Sequence, residues 1–505
     1  MKHDFWESLT KVTWALLLVC LPFTSFPAIS RLFGGTSVAP LSAVFLVILL
    51  VIFMIPYGIS HRSIPRQSLP LIIFVILALV ATAFGNFLSI PSFRDIPAWR
   101  NSLEGLITIF VGVGFYLVTT LIIRDTDMLK STLRWINLGG LVIIIVSLVQ
   151  ALSWLLTDGY PQFLWQIQPL FTSNGLLYAG RVNGVAFEPS WLAHQLNTLY
   201  IPLWLGLSVK RFSCYKRKLF NKISFENVLL ALGLIVLFLS FSRIGWLTAI
   251  FMIAFVIFHS ANKLMNTWLS KHYEGTGKKN TPAIRFLTKL GLWLVLLVLF
   301  ALVILLIGMV LTHIDPRMVQ LFDIERYRKY GILGWASQLG FAERIIYWMA
   351  AFRVFLNYPW FGVGIGGTGY FFPAVVPEFG FKLPEIIRAA GMDTFIPNAK
   401  NLWVRLLGET GIIGFTFFVS WVFIHWRDAA HLDKDGQPSI EKACGYAGKL
   451  FILALIVEGF SMDTFGLPYY WIALGLIAAT KRLSPPESSV LLGPMPVETD
   501  TPSEM

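Results

Sequence analysis

Apolar stretches about as long as a membrane is thick recur along almost the whole chain, and no other feature constrains the fold so tightly. A helix needs roughly 20 predominantly apolar residues to cross the hydrocarbon core of a bilayer. Such stretches lie at about 12–30, 38–57, 69–90, 104–123, 133–155, 192–209, 226–241, 244–260, 286–310, 403–425, 445–460 and 467–480. In lipid the backbone must satisfy its own hydrogen bonds, so these segments fold as helices. The expected class is an all-α polytopic membrane protein with about 12 transmembrane helices. Composition agrees: of 505 residues 56% are hydrophobic and 13% charged, against about 25% charged in an ordinary soluble domain. That balance excludes a disordered chain, a collagen-like fibre and a disulfide-rich secreted module.

Charge sorts the two sides. With the N-terminus inside, the inner loops hold Arg62 and Arg66, then Arg124, Lys130 and Arg134, then the run from Lys210 to Lys222. Further basic clusters lie at Lys263–Arg285 and Arg427–Lys442, and at Lys481 and Arg482. The short outer loops are poor in Lys and Arg, as the positive-inside rule requires. The net charge of +12 is therefore ascribed to cytoplasmic loops, and no nucleic-acid partner is expected. An even number of spans places both termini in the cytoplasm. The first span, preceded by Lys2 and Lys11, is read as a retained helix rather than a cleaved signal peptide. The domain expected is residues 1–482, followed by a Pro-, Ser- and Glu-rich tail at 483–505 that composition marks as disordered.

Two segments fall outside this alternation, at about 156–191 and 312–402, both on the outer side. A loop of the second length without secondary structure is uncommon. It contains FAERIIYWMAAFRVFLNYPWFG, whose charges come early and aromatics late, so helices on the outer face are expected between spans nine and ten. Cys20, Cys214 and Cys444 are far apart without a CxxC spacing, and the eight histidines show no paired-ligand pattern.

The polar residues that carry chemistry gather in four outer clusters. In YAGRVNGVAFEPSWLAHQLN, Glu188 stands at the start of span six beside Arg181, with His194 a turn or two further on. Glu188 reads either as a helix-start carboxylate or as a group that binds an acceptor and takes its proton. His194 reads as an interhelical hydrogen-bonding or a substrate-binding residue. In LFLSFSRIGWLTA, basic flanks on both sides favour a tight hairpin that puts Arg243 at the outer boundary. Arg243 either snorkels there or holds a lipid diphosphate through its planar fork. In the large loop, Glu343 and Arg344 open the aromatic helix and Arg353 follows, before NYPWFGVGIGGTGYFFP. No strand precedes these glycines, so a dinucleotide loop is excluded in favour of a closely packed turn. In FIPNAKNLWVRLLGETGIIGF, Lys400 and Asn401 open span ten, and Arg405 and Glu409 share a helix face. Arg405 is either half of a structural pair or, with Lys400 and Asn401, an anion ligand. Glu458 and Asp463 flank the last outer turn.

Taken in order, the Ser242-Arg243 turn, ERIIYWMAAFRVFLNYPWFGVGIGG and NLWVRLLGETGIIG carry a resemblance. The chain resembles the O-antigen ligase and polysaccharide polymerase superfamily of bacterial inner-membrane proteins. The resemblance implies a glycosyltransferase that uses an undecaprenyl-diphosphate-linked oligosaccharide, without nucleotide, metal or other cofactor. It also implies partners in the same pathway, a flippase and a chain-length regulator. Carried over, Arg181 and Arg243 with Arg344 or Arg405 would hold the diphosphate. Members that act as ligases present a His-Asn pair where this chain has Lys400-Asn401. A lysine of ordinary pKa, about 10.4, is a poor base at neutral pH. The FEPSWLA wording around Glu188 is similar to that of exopolysaccharide polymerases. The function expected is therefore polymerisation of O-antigen or exopolysaccharide repeat units on the periplasmic side, with Glu188, Arg243 and Arg181 catalytic. Arg344, Arg353, Lys400, Asn401, Arg405 and His194 are expected to bind substrate. Ligation to lipid A-core is the alternative, and transport of a small anion the reading from another class.

Overall fold

The computed structural model describes residues 2–60, 64–85, 87–88, 90–91, 93, 96–217, 223–275, 282–314, 324–338, 341–391, 395–434 and 436–484. Among these residues the secondary structure is helical, without strands and with isolated bridges such as Tyr178–Arg181. The larger helices are α1 (Lys2–Val19), α2 (Ser42–Ser60), α3 (Arg66–Gly85), α4 (Ala98–Ile122), α5 (Thr126–Thr157) and α6 (Gln162–Phe171). Next comes α7, built from Pro189–Gln195, a π-helical turn at Leu196–Tyr200, and Ile201–Val209. Then follow α8 (Phe225–Leu239), α9 (Arg243–Gly275), α10 (Pro282–Ile314), α11 (Ile324–Gln338), α12 (Ala342–Asn357) and α13 (Pro384–Gly391). The chain closes with α14 (Leu402–Leu432), α15 (Ser439–Glu458) and α16 (Tyr469–Leu483).

Seven of the described helices are long and apolar enough to cross a membrane: α2, α3, α4, α5, α9, α10 and α14. The other expected spans also fall on helices, α1, α7, α8, α15 and α16, which are shorter or carry more polar residues. The first expected span, 12–30, is not one helix. α1 stops at Val19, the chain turns, and Pro27 opens a short helix, Pro27–Leu32. Proline lacks the N–H that a helix interior needs, so Pro22 and Pro27 end the run. Starts are set by side chains: Asp125 accepts from the Met128 N–H at 2.7 Å and opens α5, and Ser224 does the same for α8.

The core lies around α15 and α16. Every side chain from Tyr469 through Thr480 is buried, as an all-round apolar helix in a bundle should be. α15 packs against α7, α9, α14 and α16, while α14 also packs on α3 and α16 on α4. At the opposite extreme, the apolar window Ile284–Val303 of α10 has none of its residues buried, so its leucines and valines face the lipid.

The segment expected as an outer helical loop carries helices α11, α12 and α13 among its described residues, with non-helical stretches such as 358–367 between them. α12 turns Ile346, Tyr347, Ala350, Ala351 and Val354 inward, a spacing that is one face of a helix, and Tyr347 stacks on Phe372 at 5.0 Å. Of the tail expected at 483–505, Leu483 still belongs to α16, and the residues from 485 onward lie outside the described residues.

Candidate functional site

The hairpin expected at Ser242-Arg243 is present, with α8 ending at Leu239 and α9 beginning at Arg243. Phe241 takes a left-handed φ of 50° to make so short a turn. A non-glycine residue there costs about 1–2 kcal/mol. Arg181 braces the turn from outside: its Nε donates to the Ser240 carbonyl at 3.1 Å and an Nη to that of Phe241 at 3.4 Å. The Val182 N–H also donates to the Leu239 carbonyl at 3.1 Å. Two arginines distant in sequence, Arg181 and Arg243, thus meet at one three-residue turn, and both are half-buried.

Glu188 occupies the N-cap position of α7, but its carboxylate does not cap a backbone N–H. It accepts instead from the Ser190 hydroxyl. Tyr178 reports what surrounds it: burial, then the Glu188 charge, push its phenol up from 10, and Arg181 opposes the shift. Glu188, Arg181 and Tyr178 therefore share one electrostatic neighbourhood beside the α8–α9 turn.

Behind this face lies a buried polar knot. His194 Nδ1 is hydrogen-bonded to Glu458 on α15, and both side chains are almost fully buried. Asn197 Nδ2 donates to the other Glu458 oxygen at 2.6 Å and to the Gly245 carbonyl of α9 at 2.9 Å. Glu458 and Asn197 together thereby tie α7, α9 and α15. Asn197 was not among the expected site residues. Its signal in the sequence, like that of Glu458, is a polar residue inside an apolar helix.

The turn 459–468 carries the remaining residues. The Glu458 carbonyl accepts from the Ser461 and Met462 N–H groups, and the Leu402 N–H donates to the Gly459 and Met462 carbonyls. Arg344 reaches across from α12 to the Ser461 hydroxyl at 2.5 Å. Arg405 pairs with Glu409 at 3.0 Å, donates to the Asp463 carbonyl at 2.5 Å and lies over the Phe465 ring. The structural pair is therefore realised for Arg405 and Glu409. Asn401 is the N-cap of α14, its Oδ1 accepting from Trp403 and Val404 N–H.

Lys400, at a left-handed φ of 48°, donates its N–H to Asp463 Oδ2 at 2.9 Å. Its ammonium meets Glu385 Oε1 of α13 at 2.5 Å and sits 4.2 Å from the Tyr347 ring centroid. Burial would raise the Glu385 carboxyl, but the hydrogen bond and charge of Lys400 outweigh it and hold the group below 4.5. Glu385 is a partner that sequence spacing did not reveal. Arg353 stands apart: it is exposed and donates to the Val375 carbonyl at 2.9 Å.

The glycine-rich segment packs closely onto the α14 kink. Val363 and Gly364 N–H groups donate to the Gly408 and Glu409 carbonyls, both at 3.0 Å, and the Ile412 N–H to Pro359 at 2.8 Å. Gly411 has φ 63°, and a Cβ there would come within 2.1 Å of the Trp360 carbonyl. The glycines thus serve close backbone contact.

An all-helical bundle with arginines, a half-buried carboxylate and a docked helical loop at one end defines a polytopic membrane protein with a polar site at that end. Residues 228–419 match the family model described as O-Antigen ligase, consistent with the O-antigen ligase and polymerase superfamily. The match runs from α8 into α14 and includes Arg243, Arg344, the glycine-rich segment and Lys400 to Glu409. Arg181, Glu188, His194 and Glu458 lie outside it and reach the site through the fold. No curated protein matches the chain.

Proposed function

We propose that the chain polymerises lipid-linked polysaccharide repeat units, moving glycan from undecaprenyl diphosphate to an acceptor sugar hydroxyl at the periplasmic face of the inner membrane. The observation that carries this reading is Arg181 bracing the α8–α9 turn that Arg243 closes, with Glu188 in the same electrostatic neighbourhood as Arg181. Two guanidinium groups at a membrane boundary suit a lipid-borne diphosphate, because each can donate in a planar fork. The acceptor hydroxyl attacks the donor anomeric carbon and a new C–O bond forms. The bond from that carbon to the diphosphate breaks, and its electron pair leaves with the phosphate oxygen. Arg181 and Arg243 offset the charge that develops there. Glu188 takes the hydroxyl proton, as a base within reach of the acceptor. A single displacement inverts the anomeric carbon.

The state of Lys400 favours polymerase over ligase. Where the resembling ligases carry histidine, this chain has an ammonium held by Glu385 and Tyr347, which cannot accept a proton. The test uses purified protein in proteoliposomes with undecaprenyl diphosphate bearing one native repeat unit. A ladder of repeats still on the lipid supports the reading, and Glu188→Gln should lower its rate by about 10²–10⁴-fold. Transfer only when lipid A-core is added makes the chain a ligase. No product with a verified donor turns attention to transport.

A further inference from the structure

The far end of the bundle carries a second site. α16 starts at the 459–468 turn and ends where Arg482 donates to the Ile123 carbonyl at 2.6 Å, so Arg124 lies at the end opposite the arginine turn. There, α1, α2 and the start of α5 enclose a groove of about 980 Å³. That is the upper end of the range for ligand clefts, about 300–1,000 Å³. Its floor is apolar, with Trp14, Phe53 and Ile122 buried and Leu16 and Val19 beside them. From Trp6 to Val19 it follows α1 for about 20 Å at 1.5 Å per residue. One leaflet of a 30 Å hydrocarbon core is about 15 Å deep, so the groove has the length of a lipid chain.

Its rim carries both signs. Arg124 lies over the Phe53 ring at 5.4 Å, and Lys11 pairs with Glu7 at 2.7 Å. Asp125, which also caps α5, and Asp127, which pairs with Lys130 at 3.4 Å, line the same rim. Trp6, Trp135 and Tyr57 stand among them, the residue types that gather where lipid meets water. A purely anionic headgroup would meet three carboxylates, and a purely cationic one would meet Arg124 and Lys11, with Lys130 beside Asp127. A headgroup with a phosphate and an ammonium meets partners for each: the phosphate on the Arg124 fork, the ammonium on Asp127 and Glu7. Carboxylates bind an ammonium best through its N–H donors, which a quaternary amine lacks.

We propose that this groove binds a phosphatidylethanolamine-type phospholipid, chains against α1 and α2 and headgroup between Arg124 and Asp127. The test is native mass spectrometry of the purified full chain, after exchange into an equimolar mixture of phosphatidylethanolamine, phosphatidylcholine and phosphatidylglycerol with identical acyl chains. Phosphatidylethanolamine should be retained over the other two. Arg124→Gln should reduce that retention roughly tenfold, the loss of one charge-assisted contact. Asp127→Asn should abolish the preference for phosphatidylethanolamine over phosphatidylcholine. Both side chains are exposed, so both variants keep the fold. Preferential retention of phosphatidylglycerol, equal retention of the two zwitterionic lipids by the unaltered chain, or retention indifferent to both substitutions overturns the proposal.

Discussion

Replacing Glu458 by alanine should loosen the whole site from beneath. The carboxylate holds His194 Nδ1 and Asn197 Nδ2, and all three side chains are buried. After Glu458→Ala, Asn197 keeps the Gly245 carbonyl, but His194 Nδ1 is left without its partner in a low-dielectric interior. Removing one member of a buried pair costs about 3–5 kcal/mol. Small domains lose about 2–4 °C per kcal/mol at 150–250 residues and longer chains less. A fall of about 5 °C in the melting midpoint follows for a chain of this length. Glu458→Gln keeps an acceptor for Asn197 and should cost about half as much. The assay is thermal unfolding in detergent, extended to a double-mutant cycle with His194→Ala. The double variant should lose little more than Glu458→Ala alone, because the contact is already gone. A Glu458→Ala protein that melts with the unaltered chain, or single losses that simply add, would refute the pairing.

Three further outcomes follow. Arg243→Ala should fold normally and lose polymer formation by about 100-fold or more in the proteoliposome assay; Arg243→Lys should not restore it, because an ammonium cannot make the planar fork. Gly411→Ala should lose at least about 1–2 kcal/mol of stability and melt at lower temperature, since it adds left-handed strain to a Cβ placed 2.1 Å from the Trp360 carbonyl. Because Lys400 holds the folded Glu385 carboxyl below 4.5, its contribution to docking α13 is fully present above that pH and lost as pH falls through the folded value. Protection from hydrogen exchange across Pro384–Gly391, measured against the intrinsic rate at each pH, should therefore fall in acid, and Lys400→Met should remove that dependence.

Local chemistry made part of the molecule readable from its residues. Every expected span but the first lands on one helix because hydropathy over about 20 residues is a property of the segment alone. The α8–α9 hairpin and the Arg405–Glu409 pair were legible for the same reason: a turn between basic flanks and an i,i+4 spacing need no partner from elsewhere. The break of the first span at Val19 was written in Pro22 and Pro27, yet the average hydropathy of the stretch obscured it.

The sequence by itself determined the helical membrane class, the order of the spans and which polar residues would need partners. Only the tertiary structure decided who those partners are. Glu458 meets His194 across 264 positions, Arg344 meets Ser461 across 117, and Lys400 is neutralised by Glu385 on a helix of its own. The physical reason lies in the solvent. Lipid tails are as apolar as leucine, so hydrophobicity does not say which helix packs against which. Close backbone approach and the satisfaction of a few buried polar groups make that choice, and both exist only once the helices are assembled.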